Sequence, residues 1–155
     1  GAFSDFAKMP EQKKELLNLN EVIETALDIF DKKFINFSFD SDEVLANLDK
    51  SQLIRVLTNL VKNAIQSVPK DRDPIVDVYL SSTTTHAIIK ISDNGSGIDE
   101  ENKFKIFEPR FTTKSSGMGL GLSIISNIIK SFGGTIEFET KMNLGTTFTI
   151  TLPKN

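Results

Sequence analysis

Two asparagines, Asn59 and Asn63, stand four positions apart in a stretch whose leucines recur at helical spacing. At about 100° per residue they share one side of that helix, flanking its apolar stripe. Asparagine is a poor helix former because its side chain competes for backbone hydrogen bonds. Placed beside a core, the two offer neutral oxygen donors. A side-chain carbonyl suits Mg2+, a hard cation that keeps several waters and takes phosphate oxygens as its other ligands. Being uncharged, it adds no negative charge next to a polyphosphate. Taken alone, such a pair is more often a solvated polar edge. A second group is Asp93-Asn94-Gly95-Ser96-Gly97-Ile98, which follows a run with strand alternation. Its plainest use is a turn, since Asp-Asn-Gly is turn chemistry. Its chemical use is a carboxylate at a strand end accepting from an exocyclic amine such as that of adenine. Gly95 and Gly97 would let a flat ring approach the backbone closely, and Ile98 would supply an apolar face. Glycine at position 95 excludes an EF-hand calcium loop.

Gly117-Met118-Gly119-Leu120-Gly121 opens a helical stretch. Bare amides at a helix N-terminus, reinforced by the helix dipole, bind phosphate. The spacing departs from Gly-x-Gly-x-x-Gly, because residue 122 is leucine, and no Walker string occurs. A hinge loop is the plainer alternative. Between the two glycine groups runs Phe107-Glu-Pro-Arg-Phe-Thr-Thr-Lys114. Phe107 and Phe111 would anchor a loop by packing, and Lys114 offers a point charge to phosphate, although a lysine is more commonly solvated. Irregular segments rich in Ser, Thr and Gly often serve as lids, so one is expected from about Asn102 to Met118, mobile without ligand. His86, the sole histidine, falls at a strand start and is read as partly exposed and not catalytic.

These groups must be positioned by regular elements. Phe3, Phe6 and Ala7 have helical spacing up to Pro10 and read as the end of an upstream helix. A short strand is expected near Leu16 to Leu19. Asn20 is the expected N-cap of a helix over 21–33, with Val22, Ile23, Ala26, Leu27 and Phe30 as its stripe. Strands follow at Phe34–Phe39 and Val44–Leu48. Asp49 or Ser51 caps the strongest helix, 51–68, with Leu53, Leu57, Leu60, Val61, Ala64 and Ile65 on one face. Ile75–Ser81 and His86–Ser92 read as paired strands. A short helix and irregular chain occupy 98–118, a helix spans 119–132 and stops at Gly133-Gly134, and Thr135–Glu139 and Thr146–Leu152 close the chain as strands. Consecutive hairpins imply a mostly antiparallel sheet, and helices with one stripe each must cover one face. The expected fold is therefore an α/β (α+β) two-layer sandwich.

The 155 residues suit one domain. A chain of this size hides roughly 70% of its unfolded surface. Net charge is −3, with 25% charged residues, which argues against a nucleic-acid or anionic-membrane binder. The absence of cysteine excludes a disulfide framework, a thiolate metal site and a cysteine nucleophile. Gly1-Ala2 reads as a cloning scar and the chain as a fragment.

In combination and order, the groups resemble the catalytic and ATP-binding domain of bacterial sensor histidine kinases, within the superfamily of gyrase, heat-shock chaperone, histidine kinase and MutL ATPases. Asn59-Leu-Val-Lys-Asn63-Ala is similar to the N box, Asp93-Asn-Gly-Ser-Gly97 to the first glycine box, Phe107 to Lys114 to the F box, and Gly117 to Leu122 to the second glycine box. Gly145-Thr146-Thr147-Phe148 is similar to the last box, whose first threonine helps bind adenine. The opening Phe-Ser-Asp-Phe-Ala-Lys-Met-Pro resembles the end of the dimerisation helix in nitrogen-regulation-type kinases, so residues 1–15 would be that tail with a linker and 16–155 the catalytic domain. The resemblance implies the Bergerat ATP-binding fold, a mixed, mostly antiparallel sheet with helices on one face. It implies ATP and Mg2+ as cofactors, with Asn63 and Asn59 toward the metal, Asp93 on the adenine amine, and Gly95, Gly97, Ile98 and Thr146 shaping the base pocket. Gly117, Gly119, Leu120 and Gly121 would hold the triphosphate through their amides, with Lys114 as a further phosphate contact. The implied partners are a dimerisation domain carrying the phosphoacceptor histidine, which makes the full protein a homodimer, and a response regulator. The isolated domain would be monomeric and cytoplasmic, with membrane anchoring of the parent left open. Rival readings are a serine kinase or ATPase of the same superfamily and a nucleotide-binding docking module without catalysis. Two positions depart from the pattern: Arg110 stands before the second F-box phenylalanine, and Gln66 stands where some relatives carry a basic residue.

Overall fold

The computed structural model describes residues 11–109 and 120–155. The expected upstream helix over 3–9 lies outside the described residues. The elements run β1 (Lys14–Asn18), α1 (Leu19–Leu27), a single 3-10 turn (Lys32–Phe34), β2 (Ile35–Phe39), β3 (Leu45–Asp49), α2 (Lys50–Gln66), β4 (Val76–Ser82), β5 (His86–Asp93), α3 (Leu120–Ser131), β6 (Thr135–Lys141) and β7 (Gly145–Pro153).

Five strands form one sheet in the order β2-β4-β5-β7-β6. Hairpins make β4–β5 and β6–β7 antiparallel, and β7 lies antiparallel beside β5. Only β2 runs parallel to its neighbour β4, because the intervening chain crosses over through β3 and α2. Period-two alternation sets the faces: Val76, Val78 and Leu80 of β4, Ala87, Ile89 and Ile91 of β5, and Phe148, Ile150 and Leu152 of β7 are buried. Their neighbours Asp77, Tyr79, Lys90, Glu137 and Glu139 face outward and are exposed. The helices cover the buried face, bringing Ile23, Leu53, Leu57, Leu60, Ile125 and Ile129 against it. The expected one-sided sandwich is what forms.

Four local differences have physical reasons. The cap of α1 is Asn18, whose side chain accepts from Glu21 N–H, and the helix ends at Leu27. Asn20 is instead buried inside its first turn, donating to Ser41 O (2.7 Å) and accepting from Val44 N–H (3.0 Å). The helix expected over 21–33 is shorter because Asp31 restarts the chain as the 3-10 turn, accepting from Lys33 N–H. The short helix expected after residue 98 is a series of turns through Pro109, begun by Asp99, whose carboxylate accepts from Asn102 N–H (2.9 Å). Finally, β1 and β3 form a separate two-stranded antiparallel ladder, a pairing that neither segment announces by itself.

Asp49 ends β3 and caps α2. Its carboxylate accepts from Lys13 N–H (2.9 Å) and Gln52 N–H (3.1 Å). Desolvation alone pushes its pKa up, but the amides of Lys13, Gln52 and Ser51 outweigh that and hold it below the ordinary value. Its stabilising contribution is therefore complete above the unfolded value near ~3.9 and is lost as pH falls through the lower folded value. Asp49→Ala is expected to destabilise the domain by about 1–2 kcal/mol at pH 7. Urea denaturation at descending pH should show parent and variant converging below about pH 4.

Candidate nucleotide site

The described members of the expected site come from separate parts of the chain, and the fold brings Asp93, its glycine loop and Thr146 together at one end of the sheet, with Asn63 beside the start of α3. Asp93 is the last residue of β5. Its Oδ1 accepts from Gly95 N–H (2.8 Å), closing a tight turn, and from Thr146 N–H (3.2 Å) on β7. Burial pushes the Asp93 carboxyl above the ordinary carboxylate range, while the amides of Gly95 and Thr146 and the Ser67 hydroxyl act in the opposite direction. A partly desolvated carboxylate gains most from a donor that arrives with a ligand.

The loop that follows is fitted to its surroundings at close range. A side chain at Gly95 would run into the Ser67 hydroxyl and come within 2.8 Å of Asp93 Oδ1. Gly145 opens β7 at φ +124°. A Cβ there would collide with the Asp93 carbonyl oxygen, so glycine is required by both conformation and space. Gly97 passes beside the Lys141 carbonyl. Ile98 is half-buried against the core, and its N–H donates to Thr140 Oγ1 (2.8 Å). That hydroxyl shares a hydrogen bond with Thr146 Oγ1 (2.9 Å), and Thr146 is buried. Asp93, Gly95, Gly97, Ile98 and Thr146 therefore form one connected structure.

Asn59 and Asn63 lie half-buried on α2 as expected. Asn59 Nδ2 donates back to Arg55 O (2.7 Å), one turn earlier on its own helix. Asn63 Nδ2 lies 3.3 Å from where a Gly121 Cβ would sit, so the missing side chain lets the first turn of α3 come up to Asn63. Asn63 thus stands beside the start of α3, with Asn59 one turn earlier on α2. Lys114, Gly117 and Gly119 lie outside the described residues, as do Arg110 and Phe111. The Leu120 backbone begins α3. The expected lid is described only as far as Pro109, where Ile106 is buried and Phe107 packs edge-on against Phe138 (5.8 Å between ring centroids) and Phe148 (6.4 Å). His86 sits at the opposite end of β5 from Asp93, with Nδ1 2.7 Å from Thr85 Oγ1.

Sequence reasoning missed Ser67, Thr140 and Arg72. Ser67 caps the end of α2, and its carbonyl accepts from Ser96 N–H (3.1 Å), tying the loop after Asp93 to the asparagine helix. Hydroxyls in a turn or on a strand carry no spacing signal, so only the fold reveals these roles. Among the described residues no cluster of three or more His, Asp or Glu side chains is arranged to hold a metal. A cation here would depend on amide oxygens and on oxygens of the ligand itself, a donor set that fits Mg2+ on a polyphosphate.

A sequence profile of the histidine kinase-, DNA gyrase B-, and HSP90-like ATPase family matches residues 48–155. Sporulation kinase A of Bacillus subtilis (strain 168) is 35% identical over 153 residues, covering 94% of this chain and 25% of that protein. Sensor histidine kinase ZraS of Escherichia coli (strain K12) is 33% identical over 147 residues, covering 91% of this chain and 31% of that protein. The chain thus spans about a quarter to a third of the length of these curated relatives. The nucleotide-free catalytic domain of histidine kinase ThkA superposes with a TM-score of 0.81 at 35% identity, over 92% of this chain and 97% of that one. ThkA in complex with the response regulator protein TrrA gives 0.81 at 30% identity, over 99% of this chain and 46% of that one.

Gly145→Ala is expected to cost about 2 kcal/mol or more in urea denaturation, since a left-handed position would have to be abandoned against the Asp93 carbonyl. Asp93 gives a second expectation. With its folded pKa raised, the parent loses stability as pH rises from the ordinary value, 3.8, through the folded one. Asp93→Asn lacks that titration, so the variant should gain on the parent as pH rises above about 4 in the same assay.

Proposed function

The chain belongs to the histidine kinase-, DNA gyrase B-, and HSP90-like ATPase family, and from that premise we propose that it is the catalytic, ATP-binding domain of a sensor histidine kinase of nitrogen-regulation type. In this reading it presents the γ-phosphate of ATP to a histidine on a dimerisation domain outside residues 16–155. Residues 1–15 would carry the tail of that domain's helix and a linker, the last two of them, Lys14 and Glu15, already belonging to β1. The phosphoryl group then passes to an aspartate of a response regulator; the likeness to ThkA, solved with TrrA, supports that step. The domain works on the cytoplasmic side and dimerises only through its missing neighbour. Among the described residues no helix is long and apolar enough to cross a membrane.

One observation supports the reading above the others: Asp93, fixed by Gly95 and Thr146, opens onto the same end of the sheet that carries Asn63 and the start of α3. The Asp93 carboxylate would accept the adenine amine. Gly97 and Ile98 would flank the ring, and Thr146 would hold the base edge. Asn63 would face the metal through its carbonyl oxygen. Asn59, whose nitrogen is engaged by Arg55 O, would support it with Oδ1. The amides of Gly117, Gly119, Leu120 and Gly121 would receive the phosphates, helped by Lys114 and the dipole of α3. Mg2+ would neutralise phosphate charge and hold the phosphates for in-line transfer. The residues of this chain otherwise act by positioning and by excluding water; the nucleophile belongs to the dimerisation domain.

Calorimetric titration with ATP tests this directly. Asp93→Ala is expected to abolish measurable binding, and Asn63→Ala to remove the gain in affinity that Mg2+ provides. Phosphoryl transfer to a separately added histidine-bearing dimerisation domain distinguishes a kinase from a docking module. Nucleotide binding without any transfer would favour the latter.

A further inference from the structure

Arg72 lies in the turn between α2 and β4 and is exposed, yet its guanidinium is spent on backbone. Its Nε donates to Asn94 O (2.9 Å) and its Nη2 to Gly95 O (3.1 Å). The Asn94 carbonyl belongs to the same peptide group as the Gly95 N–H, and that N–H donates to Asp93 Oδ1. One amide plane is therefore held at both ends, by a cation on its oxygen and by the carboxylate on its nitrogen. The Asn94 side chain adds two bonds to the same turn, accepting from Ile75 N–H (2.8 Å) and donating to Asp73 O (3.0 Å). The turn at 72–75 and the loop at 94–95 are thus joined by four hydrogen bonds, two of them charge-assisted.

We propose that Arg72 is a positioning residue for base recognition: by gripping the Asn94–Gly95 peptide it fixes the direction in which the Asp93 carboxylate faces the ligand. The proposal rests on Asp93 as the receptor of the adenine amine. A planar fork is needed to reach two successive carbonyls at once, so lysine replaces only part of it. A cation on the carbonyl also polarises the amide, strengthening its donation to Asp93. Without Arg72 the Asn94 and Gly95 carbonyls lose their two charge-assisted bonds, and the carboxylate is held less firmly by the bonds that remain. The phosphate end of the site, beside Asn63 and α3, is untouched.

The experiment is a thermodynamic cycle on the 155-residue chain. Affinities for Mg-ATP and for the triphosphate of purine riboside, which lacks the exocyclic amine, are measured by calorimetry for the parent, Arg72→Ala and Arg72→Lys. Because position 72 is exposed, both variants should fold, and circular dichroism checks this. The expected result is a loss of about tenfold for ATP in Arg72→Ala. The analogue should be nearly unaffected, with intermediate recovery for ATP in Arg72→Lys. Equal losses for both nucleotides, or none for either, would overturn the positioning role. A parent that binds the two nucleotides equally well would instead overturn the reading of Asp93 itself, so the two failures are separable.

Discussion

The site depends on one constraint: a carboxylate at the end of β5 that is partly removed from water and held by peptide N–H groups from two directions. The Gly95 amide comes from the loop that Asp93 itself begins, and the Thr146 amide comes from a strand more than fifty positions later. Both can reach Oδ1 only because glycine occupies positions 95 and 145, where any side chain would strike Ser67 or the Asp93 backbone. Burial works against the ionised form, and the converging donors work for it. The result is an acceptor poised to gain from one further donor.

The architecture follows from what this convergence requires. The antiparallel neighbours β5 and β7 place Asp93 beside Thr146. The β6–β7 hairpin turns through Asn143, which tolerates its left-handed φ of 66° and donates its N–H to Ser96 O. The C-terminus of α2 supplies Ser67 to the same loop, while one turn back Asn63 meets the start of α3. The Asp93 loop and the start of α3 are thus set by two ends of one short helical span, and the buried contacts of α2 with the sheet fix the distance between them. The fold that holds this arrangement is shared with the catalytic domain of histidine kinase ThkA, and within this chain Arg72 braces the 94–95 loop.

Much of the fold was legible because alternation and helical stripes are local signals. The paired strands Ile75–Ser81 and His86–Ser92 and the α2 stripe from Leu53 to Ile65 are readable from pattern alone, and Asp49 is one of two candidate caps, with Ser51. What was not legible depends on distant partners. Asn18 and Asn20 are equally good caps by type; the second is excluded only because Ser41 and Val44 claim its side chain. The β1–β3 ladder and the parallel pairing of β2 with β4 arise from packing across the domain, to which neither strand's pattern refers. Within the site, Asp93, Gly95, Gly97 and Asn63 stood out as unusual residues at motif spacing. Ser67, Thr140 and Arg72 are common surface types, and their importance lies wholly in the atoms they face. Lys114, Gly117 and Gly119 fall outside the described residues and stand as the proposal has them.

The most direct test is a crystal structure of the chain with Mg2+ and a non-hydrolysable ATP analogue. The account predicts the adenine amine within about 2.7–3.2 Å of an Asp93 carboxylate oxygen, with the metal on the side of Asn63. A base bound away from Asp93, with the Gly95 and Thr146 amides unchanged around an unliganded carboxylate, would contradict it.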